Sequence, residues 1–497
     1  MLTNKNQKRF GVLDIGSNSI RLVVFHKNTR IPLIEFNEKA FCGLGTELQL
    51  AGKLSGQGKL NALENISRFA AIIERMGLQE IQVIATAAVR DASDGKEFVK
   101  ELEKLFDFSV KILSGKEEAY LAALGVICAF PNSTGIVCDL GGGSLELARI
   151  KKGRIYDCTS LPIGSLRFTE VNECSEPQIL NLIDEQLDAV EWLQKENFSS
   201  MYAIGGAWRS LARLHMEFAD YELKVIHGYS IKRSELTSFL EQLYPITIST
   251  KKTDDQALSP ISSSRAKQIP IASLILSRII YKVKSSRVVF SAAGLREGCL
   301  FDRLDQQQRE LDPLMSSLMS IFPSSYEDTD YSRELEHLIC SFFPNMSLKY
   351  KRLLRAICSI RNIGSDEHPS YRSLQSYLRL LRLPVIGITH KERVFIATAI
   401  LNRYNGSNSD IPEKVYPKII TNEEHKMASM IGFLLDFAIS FSGGLKGVLD
   451  KVQVKRDGNA ILMLFPKEMN ISKGQNVKRR VERLERVFGE QVTLQAV

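Results

Sequence analysis

Through the first 300 residues, short apolar runs alternate with longer stretches of helical spacing. Ile20–His26, Ile81–Ile84, Leu145–Ile150 and Met201–Ile204 read as strands, and Glu117–Phe130 as a helix with Ser114 as its N-cap. From about residue 310 the pattern becomes mostly helical, as in Leu353–Ile360, Leu374–Leu383 and Arg393–Arg403. Ser, Asp and Pro collect over Ser316–Asp330, which marks a boundary in a loop. The end differs again: Val452–Lys455, Ile461–Phe465 and Gln491–Leu494 read as strands, with a helix over Val477–Val487.

One pattern occurs twice. Gly11–Val24 aligns with Ile136–Arg149 at a constant offset, so that Asp14 meets Asp139, Gly16 meets Gly141 and Ser19 meets Ser144. Each copy continues as strand, polar turn and strand. The first runs Ile20–His26, Asn28-Thr29-Arg30 and Ile31–Phe36; the second runs Leu145–Ile150, Lys151-Lys152-Gly153 and Arg154–Ser160. Two α/β lobes, each opening on a hairpin with a Gly/Ser turn, follow from this duplication.

Such turns bring backbone N–H groups close to an anion, because glycine has no Cβ and tolerates positive φ. Ser17, Ser19 and Ser144 add hydroxyl donors, and an aspartate at the end of each strand suits a hard cation that takes oxygen ligands. One such turn alone is equally a plain hairpin. Two with matching flanks point to phosphate. The copies differ at one informative position: Arg21 in the first stands where Glu146 stands in the second. One lobe would supply a phosphate-binding cation and the other a metal-binding carboxylate.

Composition narrows the class. The 497 residues are 44% hydrophobic and 25% charged, ordinary for a globular protein of about three domains. No run of eighteen apolar residues occurs, and the polar, basic start carries no secretory signal, so a cytoplasmic location is expected. The eight cysteines form no C-x-x-C pair and read as reduced, buried thiols. The net charge is +8, and the span 349–393 sets ten Lys and Arg against three acidic residues. That span is either a solvated helical face or a track for a polyanion. No P-loop and no nucleic-acid recognition motif is present.

Further motifs complete the pattern: Ala85-Thr-Ala-Ala-Val-Arg90, Ser114-Gly-Lys-Glu-Glu-Ala119, Ile204-Gly-Gly206 and Gly294-Leu-Arg-Glu-Gly298. With Asp14-Ile-Gly-Ser-Asn-Ser-Ile-Arg21 and Asp139-Leu-Gly-Gly-Gly-Ser-Leu-Glu146, they occur over about 300 residues in the order found in the exopolyphosphatase / guanosine-pentaphosphate phosphatase (Ppx/GppA) family, which the chain resembles. That family lies within the actin-like ATPase superfamily. The resemblance implies a duplicated ribonuclease-H-like two-lobed core, a mostly α-helical HD-like domain and a small α/β tail. The expected divisions are 1–125, 126–309, 310–445 and 446–497.

The resemblance also implies roles. Terminal orthophosphate would leave inorganic polyphosphate by in-line attack of water, with Glu118 as general base and Glu117 as the fallback. Magnesium or another divalent cation would sit with Asp14, Asp139 and Glu146. Gly16, Ser17, Asn18, Ser19, Arg21, Thr86, Arg90, Gly141, Gly142, Gly143, Ser144, Arg265 and Arg296 would hold phosphates. Each has a plainer alternative. Glu117 and Glu118 suit a helix N-terminus on dipole grounds alone, Arg90 can pair with Asp91 or Asp94, Arg296 can pair with an acid, and Glu146 can lie on the wet face of a strand. The Gly205-Gly206 turn, followed by Ala207-Trp208-Arg209, reads as lobe packing or a substrate wall. No histidine is followed by aspartate, so the HD metal site is not expected, although Asp366 and His368 remain nearby. A homodimer is the expected assembly, since it would extend a channel. Guanosine pentaphosphate is the alternative substrate. A nucleotide-dependent kinase of the same superfamily and a non-catalytic polyphosphate or alarmone sensor are the competing readings.

Overall fold

The computed structural model describes residues 9–26, 29–168, 175–249, 258–323, 329–404, 419–458, 460–467, 469 and 474–497. The chain forms two compact units, Met1–Pro313 and Leu314–Val497.

The first unit contains two sheets. β1 (Arg9–Ile15), β2 (Ser19–His26), β3 (Ile34–Phe41), β4 (Ile81–Ala85) and β5 (Val110–Ile112) form one, in the order β3-β2-β1-β4-β5. β6 (Gly135–Leu140), β7 (Leu145–Lys151), β8 (Arg154–Leu161), β9 (Ser200–Ile204), β10 (Tyr229–Lys232) and β11 (Arg287–Phe290) form the other, in the order β10-β11-β9-β6-β7-β8. The duplication thus extends to topology. In each sheet an antiparallel three-strand meander is followed by a parallel strand beside its first member: β4 beside β1, and β9 beside β6.

The pleat explains why the repeat survives. Leu13, Ile15, Ile20 and Leu22 enter one apolar core, and Cys138, Leu140, Leu145 and Leu147, their counterparts, enter a second. Side chains alternate along a strand. Asp14 and Arg21 therefore project from the opposite face as cross-strand partners, and so do Asp139 and Glu146.

Between the sheets' sequences lies the helix Gly115–Ala129, capped by Ser114 in a reciprocal box with Glu117. It packs on β6, β7 and β8 and against the helix Leu295–Asp302. Two glycines permit that approach: a Cβ on Gly298 would stand 1.8 Å from the Leu121 carbonyl oxygen, and one on Gly125 would stand 2.1 Å from that of Gly294. A lobe division after residue 125 runs through the middle of this helix.

Two expectations shift, one of a strand and one of a loop. After β2 the next strand is Ile34–Phe41, later than the Ile31–Phe36 read from the sequence. Its side chains are mostly exposed or half-buried, so it carries little apolar signal; the expected turn residue Asn28 lies outside the described residues. The presumed boundary loop Ser316–Asp330 also holds helix, over Pro313–Ile321 and again from Thr329.

The second unit is built from helices, including Thr329–Ser341, Leu348–Ser359, Pro369–Arg382, His390–Arg403 and Asn422–Ser442. It closes with the strands Gln453–Asp457, Ala460–Phe465 and Gln491–Ala496 in one small sheet, and the helix Gln475–Phe488. The two C-terminal segments expected from the sequence belong to this single unit. Much of the basic span 349–393 serves structure. Arg393 is buried and donates to the carbonyls of Leu380, Leu383 and Val385. Arg361, also buried, bonds Ser332 and the Cys358 carbonyl, while Arg352 bonds the Gly387 carbonyl and Arg355 pairs with Glu336. Arg361 and Arg393 are thereby withdrawn from any polyanion track, while Lys349, Lys351, Arg355, Arg379, Arg382 and Lys391 are exposed. His368 caps the helix Pro369–Arg382 by accepting from the Ser370 amide.

The cysteines among the described residues are free, with Cys42, Cys128, Cys138, Cys299 and Cys358 buried; Cys174 lies outside them. Among the described residues no helix is long and apolar enough to cross a membrane.

Candidate active site

The polar faces of the two hairpins line one cavity of the first unit, of about 200 Å³. A drug-sized organic ligand typically occupies about 300–1,000 Å³, so this cavity suits compact, charged groups. Its wall includes Asp14, Gly16, Ser17, Asn18, Ser19, Arg21, Thr86, Glu118, Asp139, Gly141, Gly142, Gly143, Ser144, Glu146, Arg265 and Arg296. Residues far apart in sequence thus converge as a set.

The two turns are wired alike. The Gly16 amide donates to the Ser19 carbonyl at 3.1 Å, and the Gly141 amide to the Ser144 carbonyl at 2.9 Å. They meet across the cavity: a Cβ on Gly143 would come within 3.1 Å of the Ser17 hydroxyl, and one on Gly142 within 3.3 Å of the Ser17 Cβ. The strand end β4 joins the first turn, where the Thr86 amide donates to the Ile15 carbonyl.

Charge is distributed unevenly. The buried acids of the cavity are Glu118, Asp139 and Glu146. Glu118 is 5% exposed; burial and then the nearby Glu146 push its carboxyl well above the usual range, while Arg90 opposes them. Glu146 is likewise raised by burial and by Asp139, against the Ser144 and Ser160 hydroxyls that bond it. Burial drives Asp139 up to about 6, although Arg209 and Arg296 pull the other way. The cations of the cavity are Arg21, Lys39, Arg209, Arg265 and Arg296. Burial lowers the Lys39 ammonium to about 8, and the Arg265, Arg21, Arg209 and Arg296 charges add to the effect. Arg209 falls to about 10 by burial and by Arg296. These depressed cations and raised carboxylates are first of all the response of charges taken out of water, and like charges gathered in one small cavity add to it.

Three side chains depart from their expected places. Glu117 is outside the cavity: it closes the Ser114 capping box and pairs with Lys111 at 2.6 Å, which with Ser114 holds it at about 2. It is thereby removed as a fallback base, because a carboxylate bonded into a cap and so weakly basic neither reaches nor accepts a proton there. Arg90 does not line the cavity; it bonds Glu118, the Leu113 carbonyl and, at 3.2 Å, Asp91. Asp14 is engaged by Arg296, Nη1 to Oδ2, at 2.6 Å.

Lys39 and Gln268 line the cavity without having been singled out, and Arg209 joins them there. Lys39 is the cross-strand neighbour of Arg21 on β3, and the signal for it was hidden by the misplaced strand. Arg209 follows Trp208, whose side chain is fully buried and donates to the Ala272 carbonyl; of the two roles read for this turn, packing falls to Trp208 and a place in the cavity wall to Arg209. Arg265 lies over the Gly205-Gly206 turn, where a Cβ on Gly206 would stand 2.5 Å from its Nη2. Gly205 itself has φ 110°, a conformation favouring glycine.

A divalent cation can be tested against these donors. Among the described residues no group of three or more His, Cys, Asp and Glu side chains is arranged to hold a metal ion, so the expected trio Asp14, Asp139 and Glu146 is not a ready-made ligand set. The reason is the Arg296 pair, which occupies Asp14. Asp139 and Glu146, cross-strand partners with raised pKa values, remain a hard-oxygen pair, and magnesium is commonly held by one or two carboxylates together with substrate phosphates. The donor set fits that kind of site.

Comparison with known proteins agrees with this geometry. The family model described as Ppx/GppA phosphatase family matches residues 9–307, and that described as exopolyphosphatase, C-terminal, matches residues 337–495. The yeast Saccharomyces cerevisiae protein named retrograde regulation protein 2 is 25% identical, over 81% of this chain and 74% of its own length. Exopolyphosphatase 1 of Mycobacterium tuberculosis is 28% identical over 60% of this chain and 89% of its own length. Among solved structures, an exopolyphosphatase from Cytophaga hutchinsonii matches 60% of this chain and 99% of that one at TM-score 0.54 and 21% identity. An Aquifex aeolicus Ppx/GppA family member matches 59% and 97% at TM-score 0.51 and 22% identity; both likenesses are of fold. The paired turns and the matched span, which covers more than half of the sequence, lead to one assignment: the chain belongs to the Ppx/GppA phosphatase family.

Proposed function

We propose that this chain is a phosphohydrolase that releases terminal orthophosphate from inorganic polyphosphate. One observation carries the reading: one small cavity gathers a buried carboxylate, Glu118, five cations and the two Gly/Ser turns. Orthophosphate at the chain end would rest on the turn amides and the Ser17 and Ser144 hydroxyls. Arg21, Lys39, Arg209, Arg265 and Arg296 would hold the phosphates that follow. Glu118 would take a proton from the attacking water in its carboxylate form, which the bonded Arg90 guanidinium favours against burial and Glu146. Asp139 and Glu146 would hold a divalent cation, whose chemistry when bound is to neutralise non-bridging phosphate oxygens. Phosphoryl transfer asks chiefly for positioning and charge stabilisation, and these groups supply both. The exopolyphosphatase named among the relatives supports this substrate.

The second reading, a polyphosphate or alarmone sensor without turnover, is favoured by the yeast relative, whose name is that of a regulator and whose match extends over both units. One assay separates them: phosphate release from long polyphosphate, short polyphosphate and guanosine pentaphosphate, with and without magnesium. Release from polyphosphate supports the first reading, and preference for guanosine pentaphosphate moves the substrate within it. Binding without release under any condition sinks it in favour of the sensor.

A further inference from the structure

Asp91 ends the short helix Ala87–Asp91, which follows the cavity residue Thr86. Its carboxylate joins two arginines that come from different lobes. Oδ1 accepts from Nε of Arg90 at 3.2 Å, and Oδ2 pairs with Nη2 of Arg167 at 2.6 Å. Each arginine is bonded onward into the site. Nη1 of Arg90 reaches the Glu118 carboxylate, and Nε of Arg167 donates to the carbonyl of Gly143 in the second turn. An unbroken chain therefore runs from Glu118 through Arg90, Asp91 and Arg167 to the turn beside which the terminal phosphate would lie.

An exposed ion pair ordinarily contributes little. This carboxylate differs because its two oxygens serve two guanidinium groups, both less than a quarter exposed at the side chain, at 22% and 18%. A guanidinium has five donors in a rigid plane, so fixing one edge fixes the other. Holding Nε of Arg90 sets the direction in which Nη1 meets Glu118. Holding Nη2 of Arg167 sets Nε against Gly143.

We infer that Asp91 is a positioning residue that aligns Glu118 with the second phosphate turn by anchoring Arg90 and Arg167 together. It acts through these arginines, away from the cavity wall. The inference rests on the hydrolase reading for its effect on turnover, while the junction itself is a matter of coupling.

The experiment measures phosphate release from long polyphosphate, polyphosphate binding and Tm for Asp91→Asn, Arg167→Gln, the double variant and Asp91→Glu. Asp91→Asn is expected to lower kcat by about ten- to a hundred-fold, the scale of a small misplacement in the site, with KM and binding little changed. Asp91→Glu is expected to recover part of that loss. The double variant is expected to be no worse than Asp91→Asn, because both substitutions break one unit. Arg303→Gln, which removes the separate exposed pair of Arg303 with Glu80, serves as the control and is expected to leave kcat unchanged. Wild-type kcat in Asp91→Asn, with additive Tm changes in the double variant, would overturn the junction while leaving hydrolysis intact. Absence of turnover in the wild type, with non-additive Tm changes, would overturn the hydrolase reading while leaving the junction standing.

Discussion

The first-lobe hairpin and the second-lobe hairpin close their turns with the same hydrogen bond, bury matching apolar residues and direct an aspartate into the same cavity. They part at the position across from that aspartate. Asp14 faces Arg21 and is held by Arg296, so its charge is compensated. Asp139 faces Glu146, with Glu118 beyond, and burial leaves all three carboxyls raised. A duplicated scaffold thus gives two turns of one design, and divergence at one register position gives them different charge; under the proposed function, one lobe would hold phosphate and the other would bind a cation and activate water.

The sharpest way to break that comparison is Glu118→Gln. General-base removal typically costs about 10²- to 10⁴-fold, so kcat should fall by that order while polyphosphate still binds in a filter or fluorescence assay. Near-normal phosphate release would remove the chemistry from the second-lobe side. Next come the divergent positions themselves. Glu146→Arg, which makes the second hairpin resemble the first, should lower kcat by at least roughly 10²-fold, as loss of a preorganised electrostatic partner does. Arg21→Gln should instead raise KM, by about tenfold, since a hydrogen bond to a charged group contributes about 1.5–3 kcal/mol. If both changes altered kcat and KM alike, the lobes would not be functionally distinct.

A smaller effect concerns the support under Glu118. Gly298→Ala forces a methyl into the Leu121 carbonyl and should destabilise the protein by roughly 1–3 kcal/mol. Denaturant melts would measure it, and kcat should fall while KM rises, because one of the two helices forced apart carries Glu118 and the other carries Arg296. The smallest effect is on stability against pH. The Asp139 carboxyl is raised from 3.8 to about 6, so between these values the folded state keeps a proton that the unfolded chain has lost. Stability from this group therefore falls as pH rises through that window, and the full penalty is present above it. Asp139→Asn should raise Tm at pH 7–8 with no gain near pH 4, whereas Asp14→Asn, which breaks the Arg296 pair, should not raise it at any pH. Equal responses in thermal melts would erase the distinction between the two aspartates.

Much of the site was legible because its parts are local. The turns, the Ser114 cap and the strand alternation each depend on residues a few positions apart, and their spacing records them. Glu117 and Glu118 show where such reasoning stops. They are adjacent and chemically alike, yet one closes a cap in solvent and the other points into a buried cavity. Lys39 escaped notice because β3 is a mostly exposed edge strand with weak patterning. The basic span 349–393 shows the converse: counting charge does not reveal that Arg393 and Arg361 are buried against carbonyls.

The sequence by itself determined the duplication, the two Gly/Ser turns, the opposed Arg21 and Glu146, and the mostly helical region with its small final sheet. These rest on periodicity and on short-range backbone demands, which every residue reports locally. Tertiary structure decided which charges meet. It placed Glu118 beside Glu146, gave Asp14 to Arg296, and gathered Lys39, Arg209 and Arg265 into the same cavity. Charge pairing and burial depend on distances between segments far apart in sequence, and a linear spacing does not contain those distances.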